Sequence, residues 1–287
     1  MGRLYFYGAY GEFYSGRAEY ATKIDRLRPI VTKPTALILR AAGTNCDAEA
    51  AHAFELAGAG TKAVHINRVL ESPAVLEACQ ILVFPGGFSY GDDIAAGKIL
   101  ANQIVHHLGD AIRKFIEAGK PVIGICNGFQ VLVKTDLLPG PMAGLTGQTG
   151  TLTNNDSGRF VDRWVHLAPK GGKCIWTKGI GPIDLPIAHG EGKFVPASHS
   201  VRKALWDTGQ VALVYTGENP NGSVDGIAGV CDSTGLVLGL MPHPERYVDP
   251  MQHYAWSSRG PLPEEGAGLQ FFRNAVMHVG EAVGAGT

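Results

Sequence analysis

No apolar stretch in the 287 residues approaches the roughly 20 that a bilayer-spanning helix needs. The N-terminal segment is aromatic and charged rather than basic and then apolar, so the pattern holds no secretory signal and a cytoplasmic protein is expected. Charge of one sign is lacking too: 25 Lys and Arg stand against 26 Asp and Glu, a net charge of -1, which leaves no global field for nucleic acid or an anionic membrane. Cysteine is scarce. Cys46, Cys79, Cys126, Cys174 and Cys231 are odd in number, widely spaced and free of any C-x-x-C pair, which argues against a disulfide framework and a structural zinc site. Self-similarity with a period of 20–50 residues is missing, which excludes a repeat array. No Gly-Lys pair is followed by Ser or Thr, as Gly97-Lys98-Ile99, Gly119-Lys120-Pro121, Gly172-Lys173-Cys174 and Gly192-Lys193-Phe194 show, so the phosphate-binding loop of P-loop nucleotidases is absent.

What is abundant is glycine, 39 residues, about twice the usual share and placed singly between apolar runs. Residues 1–33 show no period of 2 or 3.6 and read as an irregular extension, with one domain over 34–287. From Thr35 a grammar repeats: the strand Ala36-Leu37-Ile38-Leu39, the turn Gly43-Thr44-Asn45, then an Ala-rich helix over 47–56 closed by Gly58. Strands follow at 63–66, 81–84 and 121–125, with a weak helix near 73–78, one long helix over 98–118 and another over 128–133. Strands apolar on both faces and alternating with helices imply a mostly parallel α/β sheet covered by helices on both sides. After Leu138-Pro139-Gly140 short β candidates take over, at 160–167, 185–188, 211–215, 227–231 and 237–241, before a closing amphipathic helix over 268–279. These strands are expected to extend the same sheet.

Gly124-Ile125-Cys126-Asn127-Gly128 has the spacing of a nucleophile elbow between an apolar strand and a helix. Such a turn pushes its central side chain above the sheet, tolerates only small residues two positions either side, and aims helix N–H groups at a sulfur that works as a thiolate. Cys126 is the candidate nucleophile. The other four cysteines are read as non-catalytic, although Cys46 lies in a strand-to-helix loop that could border the same site. A thiol nucleophile needs a base and an orienting group. His243, in Met241-Pro242-His243-Pro244-Glu245-Arg246, follows directly on an apolar strand, and Glu245 two residues on lies on the same side of an extended loop. In Pro85-Gly86-Gly87-Phe88 the adjacent glycines let backbone N–H groups approach a ligand, so Gly87 with Asn127 could cradle an oxyanion.

Cys126-Asn127-Gly128-Phe129-Gln130, with Pro85-Gly86-Gly87 upstream and Pro242-His243-Pro244-Glu245 downstream, resembles the class I, triad-type glutamine amidotransferases, a family with a flavodoxin-like fold. Within that family, Gly43-Thr44-Asn45-Cys46-Asp47, Asn155-Asp156-Ser157-Gly158-Arg159-Phe160 and Ala188-His189-Gly190-Glu191-Gly192 are similar to the glutaminase subunits of phosphoribosylformylglycinamidine synthases. The resemblance implies that Cys126 attacks the side-chain amide of glutamine, with His243 as proton carrier and Glu245 as its orienter. It also implies that Gly86, Gln130, Ser157, Arg159 and Phe160 contact glutamine, and that His189 and Glu191 line an exit toward a partner. No cofactor or metal is expected in this chain. ATP and magnesium belong, by the same resemblance, to a separate synthetase subunit that aminates formylglycinamide ribonucleotide in purine biosynthesis, joined by a small bridging subunit. Two other readings share part of the pattern: a cysteine hydrolase of the related Cys-elbow superfamily and a catalytically silent regulatory subunit.

Overall fold

Four short strands build the first half of the sheet: β1 (Thr35–Arg40), β2 (Gly60–His65), β3 (Ile81–Phe84) and β4 (Val122–Ile125). The computed structural model describes residues 33–142, 148–258 and 260–284, so the reading of an irregular extension over 1–33 falls, but for Lys33, outside the described residues. Every position of β3 and β4 is buried, because helices cover both faces of the sheet there. The four strands pair in parallel in the order β2-β1-β3-β4. Parallel pairing demands crossovers: α1 (Asp47–Leu56) follows β1, α2 (Ile66–Glu71) follows β2, α3 (Lys98–His107) and α4 (Gly109–Glu117) follow β3, and α5 (Asn127–Lys134) follows β4. The sequence reads α3 and α4 as one helix. The structure breaks it at Leu108, where φ is -124° and the side chain turns into the core beside the flexible Gly109.

The second half is antiparallel in character. β5 (Gly150–Thr153) and β8 (Lys193–Pro196) pair apart as a two-stranded ribbon. β6 (Val161–Pro169), β7 (Ile183–His189), β9 (Val211–Tyr215), β10 (Ile227–Cys231) and β11 (Val237–Leu240) extend the main sheet to nine strands, in the order β4-β11-β10-β9-β6-β7. β11 is the exception among them because it runs parallel to β4, with Gly239 beside Gly124 and Leu240 beside Ile125. That register sets the loop after β11 next to the turn after β4. The ribbon strands and α6 (His199–Asp207) are missing from the sequence reading, although Ser198, which accepts from the Val201 N–H at 3.2 Å, is a good N-cap.

The closing helix α7 (Leu269–Gly284) packs against α1, while α3 packs against α5. Right-handed crossovers account for the two layers: the step from β1 to β2 runs one way along the sheet and the step from β3 to β4 the other, so their helices take opposite faces. Phe54 of α1 meets Phe272 of α7 edge-on at 5.0 Å and Trp176 at 6.5 Å, which anchors one layer of the core. No helix among the described residues is long and apolar enough to cross a membrane.

Candidate active site

The turn after β4 is held in a shape that only glycines on either side allow. Cys126 sits at φ 52°, ψ -107°, in the left-handed region that a side chain rarely adopts. A Cβ on Gly124 would stand 2.6 Å from the Gly128 carbonyl oxygen, and one on Gly128 only 1.9 Å from that of Phe84. The backbone layers therefore touch, α5 begins at once, and the Cys126 side chain is lifted off the end of the sheet. Its Sγ lies 3.6 Å from the Ala188 carbonyl.

His243 reaches the same place from β11. Its N–H donates to the Pro186 carbonyl at 2.9 Å, and its Nδ1 donates to Glu245 Oε1 at 2.6 Å. The ring and the carboxylate are almost wholly buried, so this hydrogen bond is shielded from water and holds the imidazole in one orientation. Burial alone would push the imidazole toward its neutral form. The Glu245 carboxylate and the Cys126 and Cys46 thiols overcome that and hold its pKa well above the ordinary histidine value. Among the described residues, His243 Nε2 and Glu245 Oε2 have no hydrogen-bond partner.

The loop after β3 closes the site. Gly87 has φ 139°, and a Cβ there would come within 2.7 Å of the Asn45 nitrogen and the Gly43 oxygen. Asn127 ties this loop to the nucleophile turn: its Oδ1 accepts from the Ser89 N–H at 3.2 Å, and its Nδ2 donates to Asp92 at 3.1 Å and to Gln130 Oε1 at 3.0 Å. As the first residue of α5, Asn127 has a backbone N–H with no carbonyl a turn behind it.

A cleft of about 240 Å³ opens here, and its lining brings together Gly87, Cys126, Gln130, Phe160, His189 and Glu191 of the residues expected from the sequence. His243 adjoins Cys126, a Cβ on Gly86 would lie 2.9 Å from the His243 ring and 3.5 Å from Cys126 Cβ, and Asn127 is the first residue of α5. Ser157 and Arg159 are elsewhere: they form an exposed turn in which the Arg159 N–H donates to Ser157 Oγ at 3.3 Å. Gln130 donates to the Glu191 carbonyl at 2.6 Å, and the Glu191 carboxylate accepts from the Ala96 N–H at 3.3 Å. His189 Nδ1 donates to Asn155 Oδ1 at 3.1 Å, and burial with the nearby His243 lowers its pKa to about 4, which keeps it neutral. A larger cavity of about 440 Å³ lies between Pro73–Leu76 and α4 and is lined by no cysteine, serine or threonine.

Four residues at the site were given no role by the sequence. Asp92, Phe88 and Asn154 line the cleft, and the left-handed Asp92 (φ 53°) has its carboxyl pushed up by burial. Cys46 adjoins the triad rather than only bordering it. Its Sγ accepts from Arg246 Nη2 at 3.1 Å, while burial raises its thiol pKa against the opposing pull of His243. The signal available for Cys46 was its place before a helix at the end of a parallel strand, the same as that of Cys126.

Residues 33–279 match the CobB/CobQ-like glutamine amidotransferase domain. The phosphoribosylformylglycinamidine synthase subunit PurQ of Dehalococcoides mccartyi is 48% identical over 257 residues, covering 86% of this chain and 98% of the relative. That of Treponema denticola is 47% identical over 240 residues, covering 75% and 89%. Among solved structures, PurLQS from Thermotoga maritima superposes with a TM-score of 0.66 at 31% identity, covering 86% of this chain and 99% of the matched one. A thiol on a strained turn, a buried His–Glu pair and these likenesses agree: the chain belongs to the glutamine amidotransferase family, as a glutaminase subunit of the phosphoribosylformylglycinamidine synthase type.

Proposed function

We propose that this chain hydrolyses glutamine through a thioester on Cys126 and passes the ammonia to an ATP-dependent synthetase that converts formylglycinamide ribonucleotide to formylglycinamidine ribonucleotide. The observation that carries the reading is the placement of Cys126, at left-handed φ on the cleft wall, against a His243–Glu245 pair buried behind it. The Cys126 proton passes to His243 as the sulfur bonds to the carboxamide carbon, and the backbone N–H groups of Gly87 and Asn127 receive the oxyanion. His243 returns the proton to the departing nitrogen, the C–N bond breaks, and ammonia leaves. Water, deprotonated by the same imidazole, then breaks the C–S bond and frees glutamate. Glu245 stabilises the imidazolium that forms twice in each cycle.

Gln130 is held rigid between Asn127 and the Glu191 carbonyl and faces the bound amide side, and Phe160 with Phe88 forms the mouth. Ser157 and Arg159 would act on glutamine only if the exposed turn folds over the cleft when the complex assembles. His189 and Glu191, on the same lining, suit a path for a neutral molecule, since a neutral imidazole does not trap ammonia as ammonium. ATP and magnesium act in the synthetase, and a small third subunit bridges the two chains. Sheltered transfer is chemically favoured, because ammonia freed into neutral water is mostly protonated and only the minor unprotonated fraction is nucleophilic.

The test is glutamate release from glutamine by the purified chain, alone and mixed with the synthetase, bridging subunit and nucleotide substrates. Release that rises strongly in the mixture supports the reading; none in either condition, with the chain folded, overturns it.

A further inference from the structure

We infer that Cys46, His243 and Glu245 form a binding site for a thiophilic divalent cation, with Zn²⁺ the best fit, and that occupancy of the site shuts the glutaminase off. One donor atom from each of the three lies within 4.8 Å of the others, and the residues are 1%, 1% and 2% exposed. Sulfur, imidazole nitrogen and carboxylate oxygen are the ligand set that zinc takes at about 2.0–2.3 Å. In a tetrahedral arrangement those bonds set donors about 3.3–3.8 Å apart, so small side-chain shifts would close the cage. Cys79, Cys174 and Cys231 join no such group among the described residues.

Three further observations favour a cation here. Glu245 Oε2 is buried without a hydrogen-bond partner, a cost that a ligand relieves. A thiolate and a carboxylate together neutralise a dication, and the Arg246 guanidinium beside the sulfur is already answered by Glu49, whose Oε1 lies 3.4 Å from its Nε. Gly86 lets the two ligands approach each other: a Cβ there would stand 3.0 Å from Cys46 Sγ, 2.9 Å from His243 Cε1 and 3.5 Å from Cys126 Cβ, so any side chain at this position would push the thiol and the ring apart. The cation displaces the proton that Cys46 Sγ shares with Asn45 Oδ1 at 3.1 Å. Whichever imidazole nitrogen it takes, the base is lost: Nδ1 is the one bonded to Glu245, and Nε2 is the one left to serve Cys126.

Binding is read with Co²⁺ as a spectroscopic probe, followed through its thiolate-to-metal charge-transfer absorption. The wild-type chain and Cys126→Ala should each bind one equivalent with that band, and Cys46→Ser should lose it. Should Cys46→Ser fail to fold, Cys46→Ala replaces it, and alkylation of Cys46 in the wild-type chain, followed by mass spectrometry, should slow when Zn²⁺ is present. A band that survives in Cys46→Ser and vanishes in Cys126→Ala would place the metal on the nucleophile and overturn the proposal, as would no thiolate band in the wild-type chain. This arm needs no turnover, so its failure is separable from failure of the glutaminase reading. In the assembled complex, the Zn²⁺ concentration that halves glutamate release should rise about tenfold or more in Cys46→Ser, each variant measured against its own metal-free rate. An unchanged midpoint would overturn the inhibitory role.

Discussion

Two cysteines in this molecule sit in matching places. Cys46 and Cys126 each follow a parallel strand, each is the N-cap of a helix, and each acts on the same imidazole. Their backbones differ. Cys126 is forced to φ 52° by the glycines around it and lines the cleft, whereas Cys46 has an ordinary φ of -98° and a sulfur engaged by Asn45 and Arg246. A strand end, a helix N-terminus and a nearby histidine therefore do not make a nucleophile. The strained turn that turns the thiol out to the substrate does, and it is built from residues with no side chain.

That contrast is exposed to experiment, most sharply at the nucleophile. Cys126→Ala should lower glutamine-dependent turnover about 10⁴-fold or more while the complex still makes product from added ammonium salt. Glu245→Gln should cost about 10²–10³-fold in kcat with little change in KM, because the imidazolium loses its counter-charge while the cleft keeps its shape. Gly128→Ala drives a Cβ into the Phe84 carbonyl and should lower stability by about 3 kcal/mol in chemical denaturation, whereas Gly119→Ala, with open space around it, should cost about 1 kcal/mol for its positive φ alone.

A smaller effect comes from His189. Its folded pKa of about 4 lies below the unfolded 6.5, so the unfolded chain binds the extra proton between those values and stability falls as pH drops through that window. The loss should be about 2 kcal/mol at pH 5 relative to pH 7.5, and absent in His189→Asn. Smallest of all, metal-free Cys46→Ser should stay within about tenfold of wild-type turnover, since its sulfur touches no substrate. A loss at Cys46 equal to that at Cys126 would dissolve the distinction between the two thiols.

Much of the site was legible because its strongest signals are local. The Gly124–Gly128 spacing, the Gly86-Gly87 pair and the His243–Glu245 separation are each read within five residues, and each describes a backbone shape or a side-chain pair that forms without distant help. Where the sequence reading missed, the deciding contact was distant. The helix expected over 98–118 divides because Leu108 is drawn into the core, which outweighs a continuous apolar face. β5 and β8 are only four residues each and exist as strands because each pairs with the other. Ser157 and Arg159 share a motif with Phe160, yet a tight turn leaves only the phenylalanine at the cleft. Arg246 and Cys46 are 200 residues apart, and no pattern announces that a guanidinium will end beside that sulfur.

The amino-acid sequence by itself determined the strand–turn–helix units and the strained nucleophile turn, since glycine placement and apolar runs act over a few residues. Only the tertiary structure decided that β11, reached through an antiparallel excursion, returns parallel to β4 with Leu240 beside Ile125. That register brings His243 to Cys126 and, on its other side, to Cys46. The reason is physical: strand pairing is chosen by the packing of the whole sheet, where burial of both faces and satisfaction of every backbone group outweigh the preference of any single segment.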